Sequence, residues 1–243
     1  MSRPRVVLVE DDLSLRRFVA MALEELDIEW LSFASVEESL ICLRQQPVEL
    51  IITDLMMPGL SGFDLIRMLA AAPELRGTAA VLVYSAGLSL AVRQQLQEQG
   101  IKHFLSKPCS VAELKAGVLT ALEEKLHDQP VKVAAVGTLS ISNSNSTTLQ
   151  SHFGGNLALY RAFRTSSLQQ FEADVVAGDL ACQQTDSQAF RRLAHTLKSV
   201  LLMLDQAPAA ELSRQLEHAT DQGDWAAAIP LWASLRGSLQ GLL

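Results

Sequence analysis

Short apolar runs alternate with amphipathic stretches five times along the first half of the chain. The apolar runs predict strands at residues 6–9, 30–33, 50–53, 80–84 and 103–105. The stretches between them have helical spacing and predict helices at residues 13–26, 36–45, 64–71, 88–99 and 111–127. Repeated strand–helix alternation is typical of a parallel sheet that is covered by helices on both faces. We therefore expect a doubly wound, five-stranded α/β domain over residues 1–127.

The second half has helical periodicity throughout, and polar residues mark where the helices begin. Asn156, Asp186 and Asp224 are each suited to cap a helix at its amino terminus. Four helices with short connections predict an antiparallel bundle over residues 147–243. Pro230 falls in the last of these helices, and it should either kink the helix or mark a late start.

Between these two regions the chain is polar and low in complexity. Residues 128–146 include a run rich in Ser and Asn, which predicts a linker. A length of 243 residues is sufficient for two domains, and a hydrophobic fraction of 49% is enough to build two cores. We therefore expect two folded domains joined by a linker.

The charge and cysteine content exclude several classes of protein. The formal net charge is −7, and neither half is basic, which argues against binding to nucleic acid. Cys42, Cys109 and Cys182 have no metal-binding spacing, and an unpaired set fits a reducing cytoplasm. The apolar run near the amino terminus is too short for a signal peptide, and no run reaches the length of a membrane span. The sequence thus predicts a cytoplasmic protein without direct membrane contact.

Acidic side chains follow two of the predicted strands, at the sheet edge where parallel α/β domains place their sites. Glu10 and Asp11 end the first strand, and Asp54 ends the third. Carboxylates from adjacent strand ends can converge, and hard oxygen ligands of this kind suit Mg²⁺. Ser85 follows the fourth strand and Lys107 the fifth, so a hydroxyl and an ammonium lie at the same edge. This set predicts Mg²⁺-dependent phosphoryl transfer to a carboxylate.

Two further acidic residues are expected to lie outside this site. Asp12 is suited to cap the first helix, and Asp64 is expected to be a solvated residue at a helix start.

His195 differs from the other four histidines because of its position on a predicted helix. The apolar residues of that helix, from Phe190 to Leu204, share one face, and His195 points almost opposite, towards solvent. Lys198 and Ser199 lie one turn further along on the exposed side. An exposed neutral imidazole is a competent nucleophile, and a nearby lysine can stabilise an incoming phosphoryl group. From the pattern alone, an ordinary charged helix face remains the alternative.

The first half resembles the receiver domain of two-component response regulators across about residues 4–126. The matching motifs, in order, are Glu10-Asp11-Asp12, Asp54-Leu55-Met56-Met57-Pro58-Gly59, Tyr84-Ser85-Ala86 and Lys107-Pro108. The resemblance implies a flavodoxin-like fold and Asp54 as the phosphoacceptor. The Mg²⁺ ligands that it implies are Glu10, Asp11, Asp54 and the backbone carbonyl of Met56. It also implies that Lys107 pairs with the acceptor and that Ser85 and Phe104 form a switch pair.

The second half resembles a histidine phosphotransfer (Hpt) domain. The sequence Ala194-His195-Thr196-Leu197-Lys198-Ser199 is similar to the Hpt signature, in which a small residue, most often glycine, follows the lysine. The resemblance implies that His195 is the phosphorylated residue and that Lys198 is its electrostatic helper. Ser199 departs from glycine, which bears on how closely a partner can approach.

The sequence contains no ATP-binding signature of a kinase. Phosphoryl groups must therefore come from a sensor histidine kinase or from other receiver or Hpt proteins, and we expect a phosphorelay protein rather than an enzyme. At most it would catalyse slow self-dephosphorylation at Asp54. In one version, Asp54 is phosphorylated by a partner and His195 exchanges phosphoryl groups with this or another receiver domain. In the alternative, the receiver gates an Hpt domain that serves a separate partner, without transfer between Asp54 and His195. A homodimer formed through the receiver is a further expectation.

Two other classes of function fit the sequence less well. Phosphohydrolases that form an aspartyl phosphate commonly carry a second acid two residues after the nucleophile, where this chain has Met56. A non-phosphorylated interaction module would not need the full set of acidic, hydroxyl and lysine side chains. Both classes are therefore disfavoured.

Overall fold

The computed structural model describes residues 3–123 and 148–243, so the predicted linker lies outside the described residues. Residues 3–123 contain a five-stranded parallel sheet with the strand order β2-β1-β3-β4-β5. The strands are β1 (Arg5–Val9), β2 (Glu29–Phe33), β3 (Leu50–Thr53), β4 (Ala80–Ser85) and β5 (His103–Ser106). The chain leaves β1 to one side for β2 and then crosses to β3, so the topological switch point lies between β1 and β3. The predicted doubly wound sheet is confirmed.

Helices cover both faces of this sheet. They are α1 (Leu13–Ala22), α2 (Val36–Gln45), α3 (Gly62–Ala71), α4 (Pro73–Arg76), α5 (Leu90–Glu98) and α6 (Val111–Glu123). The bounds of α2 agree with the prediction, whereas α1 ends earlier than predicted and the short α4 was not predicted. The side chain of Asp12 accepts a hydrogen bond from the Leu15 amide at 2.8 Å, so Asp12 caps α1 as predicted.

Alternate residues of each central strand enter opposite layers of the core. In β1, Val6 and Leu8 pack with Phe18 of α1, whereas Val7 and Val9 belong to the cluster on the other face. This period of two is the reason why the strands read as continuous apolar runs, since both faces are buried.

The second described region is entirely helical. Its helices are α7 (Thr148–Phe153), α8 (Leu157–Gln184), α9 (Ser187–Met203), α10 (Ala207–Asp221) and α11 (Trp225–Gln240). The four longer helices confirm the predicted bundle, and α7 was not predicted. Asn156, Asp186 and Asp224 cap their helices as expected. Pro230 lies inside α11, which begins at Trp225, so a late start of that helix is excluded.

The bundle packs directly against the α/β domain through α8 and α1. The ring of Phe18 lies 5.6 Å from that of Phe153 and 5.7 Å from that of Phe163, both with edge-to-face geometry. These three rings are at most 1% exposed, and Arg17 donates a hydrogen bond to Ser166 Oγ at 3.1 Å. Edge-to-face aromatic pairs add about 0.5–1.5 kcal/mol each to the gain from burial. The apolar core is therefore continuous between the two domains.

The bundle depends on a close approach between α8 and α11. A Cβ atom on Gly178 would lie 2.1 Å from Cζ2 of Trp232, whose Nε1 donates to Asp179 Oδ1 at 2.9 Å. We expect Gly178→Ala to lower the free energy of unfolding by about 1–3 kcal/mol, because the indole cannot shift without losing that hydrogen bond. Urea denaturation measures this change.

Gly237→Ala is the matched control in this prediction. Gly237 also lies in a helix of the bundle, but an added Cβ there has no neighbour within 4 Å. Its replacement should raise stability by up to about 1 kcal/mol through helix propensity. If both variants unfolded at the same urea concentration, the close α8–α11 contact would be contradicted.

Candidate functional site

The carboxyl ends of β1 and β3 lie side by side, because Val9 pairs with Thr53 in parallel register. Each of these strands is followed by a buried acid, Glu10 after β1 and Asp54 after β3, at most 3% exposed. The ammonium of Lys107, which follows β5, donates to Glu10 Oε2 and, at 2.6 Å, to Asp54 Oδ2. One buried cation is thus shared between two buried carboxylates.

Backbone amides hold the second oxygen of Asp54. Its Oδ1 accepts hydrogen bonds from the amides of Leu55 and, at 3.2 Å, Met56. Burial tends to raise the pKa of Asp54, but the charge of Lys107 and hydrogen bonds from Lys107 and Ser85 hold that pKa below its usual value. Asp54 is therefore an ionised carboxylate in a buried pocket, as a nucleophile towards phosphorus must be.

Two further carboxylate oxygens in this pocket, Glu10 Oε1 and Asp11 Oδ1, are buried and have no hydrogen-bond partner in the part of the chain that the structure describes. Burial, with a further contribution from the charge of Asp54, raises the pKa of Asp11 to about 6. Burial also raises the pKa of Glu10. Arg16 donates to the carbonyls of Glu10 and Asp11 at 2.6 and 2.9 Å, which fixes the turn that presents both acids. Unpaired acidic oxygens of this kind fit a hard divalent cation.

Acidic side chains do not form a closed metal cage on their own. Across residues 3–123 and 148–243, no three His, Cys, Asp or Glu side chains form a group that could hold a metal ion. Within the pocket, the ammonium of Lys107 is bound by Glu10 and Asp54. A cation in the pocket would need a backbone ligand in addition to the side chains.

The other predicted residues of the first site lie on β4 and β5. Ser85 is fully buried, and its hydroxyl accepts a hydrogen bond from the Gly87 amide at 3.4 Å. Phe104 is opposite Val83 in the sheet, and the Arg93 guanidinium lies 5.5 Å from the centre of its ring. The structure therefore brings Ser85 to Asp54, while Phe104 lies one strand further along and is partly exposed.

The prediction that His195 faces solvent is wrong, because His195 is only 3% exposed. Its side of α9 does point away from the apolar face of the bundle, but the α/β domain covers it. A Cβ atom on Gly87 would lie 3.3 Å from His195 Cε1 and 3.9 Å from Nε2, so the imidazole packs against the loop after β4. After the larger effects of burial, Lys107 and Ser85, the charge of His195 also lowers the pKa of Asp54. The two predicted phosphorylation residues therefore face the same pocket from opposite domains.

A residue that the sequence did not indicate orients this imidazole. Glu217 of α10 lies with Oε1 2.6 Å from His195 Nδ1, and its Oε2 accepts a hydrogen bond from Lys198 at 2.6 Å. Burial tends to raise the pKa of Glu217, but these two hydrogen bonds lower it to about 2. An ionised carboxylate can only accept, so Nδ1 carries the hydrogen of this contact, and Nε2 is the ring nitrogen that faces away from Glu217. Nε2 is buried and has no hydrogen-bond partner among the described residues.

The bundle also brings an unpredicted acid towards the first pocket. Asp174 of α8 is buried, and its Oδ1 accepts a hydrogen bond from Gln170 at 3.1 Å. Burial, with smaller contributions from the charges of Asp12 and Asp11, raises the pKa of Asp174 to about 7. Asp64, by contrast, lies in the first turn of α3 and accepts a hydrogen bond from the amide of Ser61, the residue that caps this helix.

The short connection between α9 and α10 is a sequence signal from which the contact between Glu217 and His195 could be predicted. Only three residues separate these helices, so they must run antiparallel. A residue about ten positions before the connection then lies beside one at a similar distance after it, as His195 and Glu217 do. Asp174 and Gly87 had no comparable local signal, because their roles depend on how the two domains dock.

Comparisons with known proteins agree with both halves of this description. The family model of the response regulator receiver domain matches residues 6–119, and that of the Hpt domain matches residues 158–243. The chain is 30% identical over 115 residues to the two-component response regulator ORR12 of Oryza sativa subsp. japonica, covering 47% of this chain and 94% of the rice protein. It is 31% identical over 124 residues to the sensor histidine kinase TmoS of Ectopseudomonas mendocina, covering 51% of this chain and 12% of the kinase.

Other relatives are matched over part of their length. The chain is 29% identical over 122 residues to the response regulator protein PilR of Pseudomonas aeruginosa, which is 50% of this chain and 27% of that protein. Among solved structures, a response regulator receiver protein from Pseudomonas putida has 29% identity and a TM-score of 0.46, covering 49% of this chain and 98% of that one.

The chain belongs to the two-component response regulator family and carries a flavodoxin-like receiver domain followed by an Hpt domain. This combination makes it a phosphorelay protein. Receiver and Hpt domains are signalling and phosphocarrier modules rather than kinases, and they interact with histidine kinases and other phosphorelay proteins. In the two described ranges, no helix has both the length and the apolar character required to cross a membrane.

The contacts of Glu217 predict a specific loss of function. We expect Glu217→Ala to slow phosphoryl transfer to His195 by about tenfold to a hundredfold, since a hydrogen bond to a charged group contributes about 1.5–3 kcal/mol. Phosphorylation of Asp54 by acetyl phosphate should not change. Rapid-quench measurement of phosphohistidine formation tests this expectation.

Glu211→Ala serves as the control for this variant. Glu211 lies on the same helix, but it is exposed and pairs with Arg214. Its replacement should leave the transfer rate unchanged. Transfer at the wild-type rate in Glu217→Ala would show that the imidazole needs no orienting carboxylate.

Proposed function

We propose that this chain passes a phosphoryl group between Asp54 and His195 within one molecule. The observation that supports this most directly is the position of the imidazole against the Gly87 loop, where Nε2 is buried and has no partner among residues 3–123 and 148–243. A ring nitrogen beside the receiver pocket is suited to accept a phosphoryl group from Asp54.

On the receiver side, we assign Asp54 as the phosphoacceptor. The proposed Mg²⁺ ligands are Glu10, Asp11, Asp54 and the backbone carbonyl of Met56. The cation supplies positive charge that offsets the charge of the phosphoryl oxygens. Lys107 would then exchange part of its contact with the carboxylates for a phosphoryl oxygen, and the Ser85 hydroxyl would donate to another. We further propose that Phe104 changes position when Ser85 makes this bond, which would carry the signal to the surface of the receiver.

On the Hpt side, the lone pair of His195 Nε2 attacks phosphorus. The N–P bond forms as the P–O bond to Asp54 breaks, and the bonding electron pair returns to the carboxylate. The hydrogen on Nδ1 stays in place, and Glu217 stabilises the positive charge that the ring acquires. Lys198, which is partly exposed and shares Glu217, supplies positive charge near the incoming group. The reverse transfer follows the same path, so the direction depends on which partners are phosphorylated.

One observation favours a second function, in which the receiver gates access to His195. Docking leaves the imidazole only 3% exposed, so a separate receiver protein could reach it only after the two domains part. Sensor histidine kinases or other phosphorelay proteins would then act on an open form of the chain. Loss of the phosphoryl group by slow hydrolysis at Asp54 would reset either version.

The two versions differ in the kinetic order of transfer. We expect radiolabelled acetyl phosphate with Mg²⁺ to label Asp54 first, as an alkali-labile acyl phosphate, and His195 afterwards, as an alkali-stable phosphoramidate. For internal transfer, the rate of the second step should not depend on protein concentration. His195→Gln should retain the label at Asp54, and Asp54→Asn should lose both labels.

Mixing the two variants provides the control. In a mixture of Asp54→Asn and His195→Gln chains, label can reach His195 only by transfer between molecules. We expect that reaction to be much slower than transfer in the wild type. A wild-type rate that rises in proportion to protein concentration would contradict internal transfer and favour gating.

A further inference from the structure

We propose that the hydroxyl of Ser199 binds a phosphoryl oxygen during transfer and in the phosphohistidine, an assignment that rests on the proposed function of His195. Ser199 stands where the Hpt signature most often has glycine, so this contact would be a feature of this chain.

The position of Ser199 places its side chain on the same face as the imidazole. It follows His195 by four residues, which is a rotation of about 40° around α9 and one turn along it. The opposite face of α9 carries the apolar residues Phe190, Leu197 and Leu201, which fill the bundle core. Ser199 is nevertheless only 1% exposed. Ser199 is therefore buried on the His195 side of α9 and not in the apolar core of the bundle.

The hydroxyl of Ser199 has no hydrogen-bond partner among the described residues. Two other buried helical serines of the bundle satisfy their hydroxyls within their own helix. Ser167 donates to the carbonyl of Phe163 at 2.9 Å, and Ser213 donates to that of Ala209 at 3.1 Å. An unpaired buried hydroxyl is costly, and natural structures retain few such groups. The free donor of Ser199 thus indicates a missing acceptor.

The neighbouring unpaired atom identifies the kind of acceptor. His195 Nε2, which belongs to the residue one turn away on the same face, is also buried without a partner in the described ranges. A phosphoryl group on Nε2 would bring three anionic oxygens into the space between the domains, and hydroxyl donors bind such oxygens strongly. Ser199 would donate one hydrogen bond to a non-bridging oxygen, and no bond to Ser199 forms or breaks. On the Hpt side of the pocket, this hydrogen bond would supplement the positive charge of Lys198, whose ammonium is already bound by Glu217.

The full chain carrying Ser199→Ala or Ser199→Gly tests this assignment. Asp54 is labelled with acetyl phosphate and Mg²⁺, and the formation of alkali-stable phosphohistidine is followed by rapid quench. We expect both variants to form phosphohistidine about tenfold more slowly than the wild type. The urea midpoint of Ser199→Ala should equal or exceed that of the wild type, because the variant removes an unsatisfied buried group. A fall in rate without a fall in stability separates a phosphoryl contact from a packing role.

Ser213→Ala is the matched control, since it removes a buried helical serine hydroxyl that already has a partner. It should transfer at the wild-type rate. A wild-type rate in Ser199→Ala, or faster transfer in Ser199→Gly, would overturn the assignment while leaving His195 as the acceptor. If the wild type formed no phosphohistidine, the proposed function and this inference would both fail.

Discussion

The aromatic contact between the two domains is the constraint on which the candidate site depends. Phe18 on α1 packs against Phe153 and Phe163 of the bundle, and these rings are almost completely buried. Through this contact α8 packs along α1, and the face of α9 that carries His195 lies towards the receiver pocket. Because both domains are parts of one chain, docking is intramolecular and has a high effective concentration. Without this contact, Asp54 and His195 would be two separate sites.

Each half of the pocket pairs a reactive group with a charge of opposite sign. Asp54 is held as a carboxylate by Lys107, and His195 is held by the carboxylate of Glu217. The first pair favours an anion that can accept phosphorus, and the second stabilises the positive ring of a phosphohistidine. Four of the buried polar atoms without a hydrogen-bond partner among the described residues, Glu10 Oε1, Asp11 Oδ1, His195 Nε2 and Ser199 Oγ, belong to these same two halves. A cation or a phosphoryl group in the pocket would use these four atoms.

Local sequence signals predicted the elements well because their causes are local. The strands are apolar on both faces, and residues such as Asp12 and Asn156 cap the helices that follow them. The convergence of Glu10, Asp54 and Lys107 could also be predicted, since parallel strands bring their carboxyl ends to one edge. Docking could not be predicted in this way. The periodicity of α9 identified the bundle core correctly, but it contained no information about a second domain that covers the opposite face, so the exposure of His195 was predicted wrongly.

The reactivity of His195 towards diethyl pyrocarbonate tests the docked arrangement most directly. His218 lies on α10 of the same bundle and is exposed, so it provides an internal reference. In the unphosphorylated full chain, mass spectrometry should show His195 modified at least tenfold more slowly than His218, because the receiver covers its Nε2. Modification of both histidines at the same rate would contradict docking and, with it, the internal path between Asp54 and His195.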